Sequence, residues 1–301
     1  LPQGRFHRAH RDYSRVMTRP PLTDRAALRR NRARAAEGGA PVDFLHRAVA
    51  ADLEERLAVV NRAFTAPALV CGHPAFWPGL IDALGPDTRV VPDEDVLDLR
   101  AGAHDLVVHA LALHWADDPV GQLVQARRAL RPDGLLLVAS FGGETLAGLR
   151  SALARAEAEI AGGLSPRVLP MGEIRDLGAL LQRAGLALPV ADSAAWPVSY
   201  ATLADLMHDL RAMGEANALA GRLRRPTRRA LFNRAEALLR ETDAGPDGRL
   251  QAIFEVVTLT GWAPGPGQPE PLRPGSAAQR LADALGTDER PLPGPASDRR
   301  D

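Results

Sequence analysis

Lysine is absent from this chain: all 37 basic residues are arginine, and they balance 37 acidic residues to a formal net charge of +0. That balance excludes a chain-wide electrostatic attraction to nucleic acid. With alanine and proline so abundant, the missing lysine reads as the mark of a GC-rich coding sequence, so the arginine excess is no functional signal by itself. Cysteine is nearly as scarce. Cys71 stands alone, which excludes an internal disulfide and any multi-cysteine zinc or iron–sulfur site. No apolar run approaches the ~18 residues a membrane helix needs. Residues 1–16 carry no signal-peptide apolar region, which predicts a cytoplasmic protein with at most peripheral membrane contact. What is present is a 46% hydrophobic fraction in 301 residues, enough for a real core and incompatible with whole-chain disorder.

Residues 1–16 show no apolar period, and Met17 reads as the more sensible start. Thr23 or Asp24 is placed to cap a helix running through Ala36. That helix is arginine-rich, and its arginines read as a solvated face, with an anionic surface or a partner as the other option. After Gly38, Gly39 and Pro41, an amphipathic pattern runs through Leu45, Val49, Leu53, Leu57, Val60 and Phe64. From Ala68 the period changes. Ala68–Val70, Thr88–Val91, Asp105–Ala110 and Leu135–Ser140 read as strands, with a clear helix over Val120–Leu130 closed by Arg131-Pro132-Asp133-Gly134. Alternating strands and helices predict a doubly wound α/β domain around a parallel sheet. Helices are expected from about Glu144 to Ile160 and Glu173 to Arg183, strand pieces at Leu188–Ala191 and Trp196–Tyr200, and mostly helix over 202–242. Leu250–Trp262 alternates as a long final strand, and Ser276–Leu285 reads as one short helix.

In such a sheet, ligands bind beyond the carboxyl ends of the strands. The first strand leads into Cys71-Gly72-His73-Pro74-Ala75-Phe76-Trp77, which has one glycine where a nucleotide cradle has two or three. Pro74 also removes a donor, and Phe76 and Trp77 are bulky. About 20 residues on, Asp93, Glu94 and Asp95 follow the second strand, at the spacing of a ribose-binding acid or as solvated turn residues. His114 and Trp115 fall at the end of the Asp105 strand, where Trp115 offers a flat face for an adenine, or packs on the next helix. Phe141-Gly142-Gly143-Glu144-Thr145 occupies the same edge, with Glu144 a candidate substrate-facing carboxylate.

Other groupings carry less. His104, His109 and His114 recur every five residues, which fits neither a strand nor a helix face, so no metal site is expected. His10-Arg11-Asp12 mimics part of an iron triad but lies in the tail. No Gly-x-Ser-x-Gly elbow supports a hydrolase. Arg222, Arg224, Arg225, Arg228, Arg229 and Arg234 form a basic cluster with no acid nearby in sequence until Glu236, read as a solvated surface or a hold for RNA, phospholipid or an acidic partner.

Asp105-Leu106-Val107-Val108, Leu113-His114-Trp115, Leu130-Arg131-Pro132-Asp133-Gly134 and Phe141-Gly142-Gly143-Glu144-Thr145-Leu146 together resemble class I S-adenosylmethionine-dependent methyltransferases. More narrowly, with Gly163-Leu164-Ser165-Pro166-Arg167, Asp176-Leu177-Gly178-Ala179-Leu180-Leu181 and Leu206–Asn217, the chain is similar to the complex I assembly factor 5 family of arginine hydroxylases and its alphaproteobacterial members. The resemblance covers roughly 22–285. It implies a Rossmann-like seven-stranded sheet with an antiparallel last strand and a helical insertion before it, S-adenosylmethionine as cofactor, and action on an arginine of a respiratory complex I subunit. The expected organisation is a tail over 1–21, helices over 22–66, the core over 67–200, the insertion over 201–246, the last strand over 247–263 and a Pro/Gly-rich tail over 264–301. The family's first-strand motif, an acid followed by glycines, is here Val70-Cys71-Gly72-His73-Pro74, and the stretch before Pro92 is shortened by a strand and a helix. Matched to the family, Asp93 and Glu94 fall on the third strand's adenine-side loop; matched by spacing, they fall on the ribose.

Three readings follow. In an enzyme, Gly72, Asp93, Glu94, His114 and Trp115 hold S-adenosylmethionine, with His114, Glu144 and Glu215 as catalytic groups facing a protein arginine. In a catalytically dead assembly chaperone, the same fold binds a respiratory subunit without cofactor. The third is a small-molecule or acyl-carrier methyltransferase.

Overall fold

The computed structural model describes residues 20–38 and 42–268, together with 282–283 and 286–287. The expected tail over 1–16 lies outside them, as does most of the short helix over 276–285, of which 282–283 are helical. The compact unit that carries the sheet closes at Gly265, and a second unit begins at Pro266.

Two short, wholly buried strands set the architecture. Strands β1 (Pro67–Cys71) and β3 (His104–Ala110) are buried at every position, which requires helices on both faces of the sheet. Strand β2 (Arg89–Pro92) pairs parallel with β1, and β3 pairs parallel with β1 and with β4 (Leu130–Phe141). Strand β6 (Leu250–Trp262) runs antiparallel to β4 and to the edge strand β5 (Ala187–Tyr200), giving the order β2-β1-β3-β4-β6-β5. Side chains alternate between two apolar layers as the pleat demands. Leu69, Leu106, Val108, Leu135 and Leu137 face α2 (Phe44–Val59), α3 (Pro78–Leu84), α5 (Ala147–Ala161), α7 (Leu203–Ala212) and α8 (Arg229–Thr242). Ala68, Val70, Val107, Leu136 and Val138 face α4 (Pro119–Ala129) and α6 (Ile174–Arg183). Asp105 ties β3 to the start of β1, accepting from Thr65 N at 2.7 Å, Thr65 Oγ1 at 2.9 Å and Ala66 N at 2.9 Å. Asp105→Ala is therefore expected to cost about 2 kcal/mol, read as a lower urea midpoint at unchanged slope.

Several elements differ from the sequence reading, each for a local reason. The described residues form six strands, not the seven the resemblance implies, because only the seven-residue α3 separates β1 from β2. The two strand pieces at 188–200 are one strand, whose irregularity between Ala187 and Val190 absorbs Leu188 at φ 50°. The helix expected from Glu144 begins at Ala147, because Leu146 takes φ 54° and its N–H donates to Ile253 of β6. Arg131-Pro132-Asp133-Gly134 lies inside β4, where these four residues stand opposite Asp105 alone and bulge between the His104 and Leu106 pairings. The first helix, α1 (Arg25–Glu37), is capped by Asp24, whose carboxylate accepts from Ala27 N at 3.0 Å.

The 222–234 arginines are not simply solvated. Arg222 and Arg224 reach Asp24 Oδ2 at 3.0 and 3.2 Å, and Arg234 reaches Glu159 at 2.6 Å. The hydrogen bond from Ala27, followed by the Arg222 contact, holds the Asp24 carboxyl down at about 2. These contacts tie the insertion to the start of α1 and to α5.

Candidate functional site

The carboxyl ends of β1, β2 and β3 open onto one corner of the sheet edge. In the loop after β1, Phe76 and Trp77 turn inward and pack on His46 of α2, at ring centroid distances of 4.8 and 5.1 Å. Neither fills the corner. Burial is the largest influence on His46 and, with the nearby Arg32 charge, pushes its imidazole down to about 4 against the opposing pull of Glu215 and Asp43.

The group that does fill the corner is Arg32 of α1. A Cβ added at Gly72 would fall 2.5 Å from Arg32 Nε and 2.6 Å from Nη1. On the other side, a Cβ at Gly214 (φ +81°) would meet Arg32 Cγ at 3.0 Å and Cα at 3.2 Å. The side chain thus lies between two glycines, 5% exposed, and Nη1 donates to Asp93 Oδ1 at 2.7 Å. Arg25 Nη1 adds 3.3 Å to Asp93 Oδ2 and Nη2 adds 3.2 Å to Asp95; Arg29 reaches Glu94 at 2.8 Å. Positions 25, 29 and 32 share one helical face, so α1 brings one arginine to each acid of the Asp93-Glu94-Asp95 loop. The expectation of a solvated arginine face on this helix is corrected: Arg32 is buried, and the Arg25 side chain is 14% exposed. Sequence analysis missed Arg32, although the three-arginine spacing was there to be set against three consecutive acids.

Because β2 pairs directly with β1 (Cys71↔Pro92), Asp93 emerges beside Gly72. Gln122 of α4 fixes that loop, donating to the Asp93 and Glu94 carbonyls at 3.3 and 3.0 Å, while its Oε1 lies 2.9 Å from His109 Nε2. After β3, the turn Leu113–Trp115 delivers two rings to one carboxylate. Trp115 Nε1 donates to Glu215 Oε2 at 2.7 Å, and His114 Nε2 lies 3.3 Å from the same oxygen. Burial raises the Glu215 carboxyl, but the His114 contact, the Arg32 charge and the Trp115 N–H outweigh it and hold it at about 2. Gly72 and Asp93 thereby meet Arg32, whose charge also acts on Glu215, and Glu215 in turn holds His114 and Trp115. Glu94 sits half-buried at the rim on Arg29. Glu144 lies apart and exposed, its N–H donating to Glu255 at 2.9 Å. His104, His109 and His114 make separate contacts, and no group of three or more His, Cys, Asp or Glu among the described residues could hold a metal ion. Trp115 and Glu215 also line a cavity of about 230 Å³ walled by side chains of β4, β6, α5, α7 and α8 together with the loop segments 145–146, 167–171 and 216–217.

A family model described as a methyltransferase domain matches residues 44–138. Over 201 residues the chain is 37% identical to the mitochondrial arginine-hydroxylase NDUFAF5 of Danio rerio, covering 66% of this chain and 61% of that protein. It is 38% identical over 197 residues to the human protein of the same name, covering 64% and 55%. A malonyl-[acyl-carrier protein] O-methyltransferase of Laribacter hongkongensis is 38% identical over 178 residues, covering 58% and 56%. The matched segment thus spans less than two thirds of each of these relatives. Among solved structures, a candidate methyltransferase from Bacillus halodurans aligns with a TM-score of 0.45 at 13% identity, covering 70% of this chain and 98% of that one.

Proposed function

We propose that the chain, which carries a methyltransferase-domain match over residues 44–138, is a methyltransferase-like protein that serves as a protein-binding assembly module and works without S-adenosylmethionine. Arg32 carries this reading. The cofactor's amino-acid end needs a loop whose backbone it can approach, and its ribose needs a free carboxylate. Here the guanidinium lies against the loop glycine and takes the carboxylate that emerges beside it. The guanidinium is paired with Asp93, so it acts here by occupying the corner. With α1 in this position the residues do not fit the cofactor, and no methyl-transfer step is derived.

What remains available is the mouth framed by α7, α8 and the loop between them, which carries the stretch Leu206–Asn217. The resemblance to the complex I assembly factor 5 family supports a respiratory complex I subunit as the partner, and the names of the similar proteins, mitochondrial arginine-hydroxylases, support a protein arginine there. The fold then contributes shape and charge rather than chemistry: a fixed sheet edge, an anionic Glu215 and apolar walls.

One observation favours the catalytic reading. The His114–Glu215–Trp115 cluster is assembled at the edge where a protein arginine would meet a methyl donor, as positioning would require. In that reading Gly72, Asp93 and Glu94 return to the cofactor and α1 must lift.

Calorimetric titration separates the two. The full chain is expected to give no saturable heat with millimolar S-adenosylmethionine or S-adenosylhomocysteine, while still associating with a purified complex I subunit. Micromolar cofactor binding that disappears in Trp115→Ala would sink the module reading and restore the enzyme.

A further inference from the structure

The cavity beside the ion-paired corner has a composition of its own. Phe141, Leu149, Met207, Leu210, Phe232 and Phe254 supply apolar wall, and its volume is about 230 Å³. An apolar cavity of about 150 Å³ accepts benzene, so this one has room for a ring with a short linker.

Most of the polar groups on its wall are already used. Thr145 Oγ1 donates to the Glu255 carbonyl at 2.9 Å, Asn217 Nδ2 to the Pro166 carbonyl at 3.0 Å, and Arg167 Nη2 to Glu157 at 2.6 Å. Glu215 is the exception. Both of its hydrogen bonds, from Trp115 and at His114, fall on Oε2, so Oε1 takes none. The side chain is 10% exposed, and its carboxyl, held at about 2, is anionic throughout the neutral range. The exposed Arg211 stands at the cavity too, without a partner side chain. Oε1 keeps access to solvent and is therefore open to a donor arriving through the cavity, where a charge-assisted bond is a strong one.

We propose that this cavity is a binding site for a small organic cation with an apolar body, an aralkylamine or short alkylamine, whose ammonium donates to Glu215 Oε1 while its hydrocarbon fills the Phe141–Phe232–Phe254 space. Charge gives the selectivity. An ammonium completes the bonding of Glu215, a neutral alcohol of the same shape makes a weaker bond, and a carboxylate brings like charge against it. The site does not depend on whether the chain binds a partner protein, because its groups are present in the chain alone.

The test titrates phenethylamine, 2-phenylethanol and 3-phenylpropionate into the full chain at neutral pH. Saturable heat is expected with the amine, at least tenfold weaker binding with the alcohol, and none with the carboxylate. Glu215→Gln should weaken the amine at least tenfold. Phe232→Trp, which narrows the cavity and leaves Glu215 in place, should weaken the amine at least tenfold with the circular dichroism spectrum unchanged. No saturable heat with the amine on the unmodified protein would overturn the proposal, as would equal binding of the three probes, or amine binding undiminished by both Glu215→Gln and Phe232→Trp. The comparison of probes needs no variant, so a misfolded Glu215→Gln would not shield it.

Discussion

Arg32→Ala is expected to destabilise the fold by about 3–5 kcal/mol, the cost of leaving a buried charge without its partner. Asp93 is 6% exposed and accepts from Arg32 Nη1 at 2.7 Å, whereas Arg25 offers it only a 3.3 Å contact. Removing the guanidinium also empties the space between Gly72 and Gly214 and leaves Glu215 without a cation whose charge favours its ionised form. Arg29→Ala is the control. That side chain is 61% exposed on its partner Glu94, and an exposed pair contributes little, so its loss should be nearly silent. The double variant Arg32→Leu with Asp93→Asn should recover most of the loss, since it removes both charges together and keeps apolar volume. Urea unfolding of the four proteins decides it. An Arg32→Ala cost no larger than that of Arg29→Ala would mean the corner is wet and open, and the case against cofactor binding would fall with it.

The same comparison shows how far the sequence could be read. The central strands were legible because a strand buried on both faces is an unbroken apolar run, as in Ala68-Leu69-Val70 and Leu106-Val107-Val108. The edge strand β5 was legible only in part, because Leu188-Pro189 breaks the local pattern while twelve residues of β6 hold the register from outside. At the site, Gly72, Asp93, His114 and Trp115 could be named because each follows a strand's carboxyl end, and strand ends are periodicity made visible. Glu215 entered through the resemblance, and the structure does place it against Trp115. Arg32 could not be reached by either route. Its partner is 61 residues away, and a lone helix period does not say which face meets which acid. Glu144 shows the converse. Its neighbours in sequence suggested the site, yet its N–H is tied to Glu255, and the side chain stays outside the group around Arg32.

Stability should also fall as pH drops from about 6.5 to about 4, a fall that starts well above the range in which carboxylates protonate. His46 is 5% exposed, packed on Phe76 and Trp77, and burial, reinforced by the Arg32 charge, pushes its imidazole down to about 4. His109 is fully buried and is pushed down as well, by burial first, then by His114 and Arg32, against the Gln122 hydrogen bond and the Asp93 charge. In the unfolded chain both rings take protons near pH 6.5. Between that value and the folded one, the unfolded state binds protons that the folded state refuses, so acid favours unfolding. For His46 alone this amounts to roughly 3 kcal/mol across the window, at about 1.4 kcal/mol per pH unit. Glu157 and Glu215 add a second, lower limb. Their carboxyls are held at about 2, Glu157 chiefly by Arg167, and the stability they contribute is present above about 4.5 and lost as pH falls towards 2. His46→Leu should flatten the upper limb and leave the lower one in place. Urea midpoints at pH 7, 6, 5, 4, 3 and 2 separate the two limbs. An unchanged midpoint between pH 7 and 5 would mean that His46 and His109 take up protons in the folded chain as readily as in the unfolded one, and that the apolar packing around the first loop admits water.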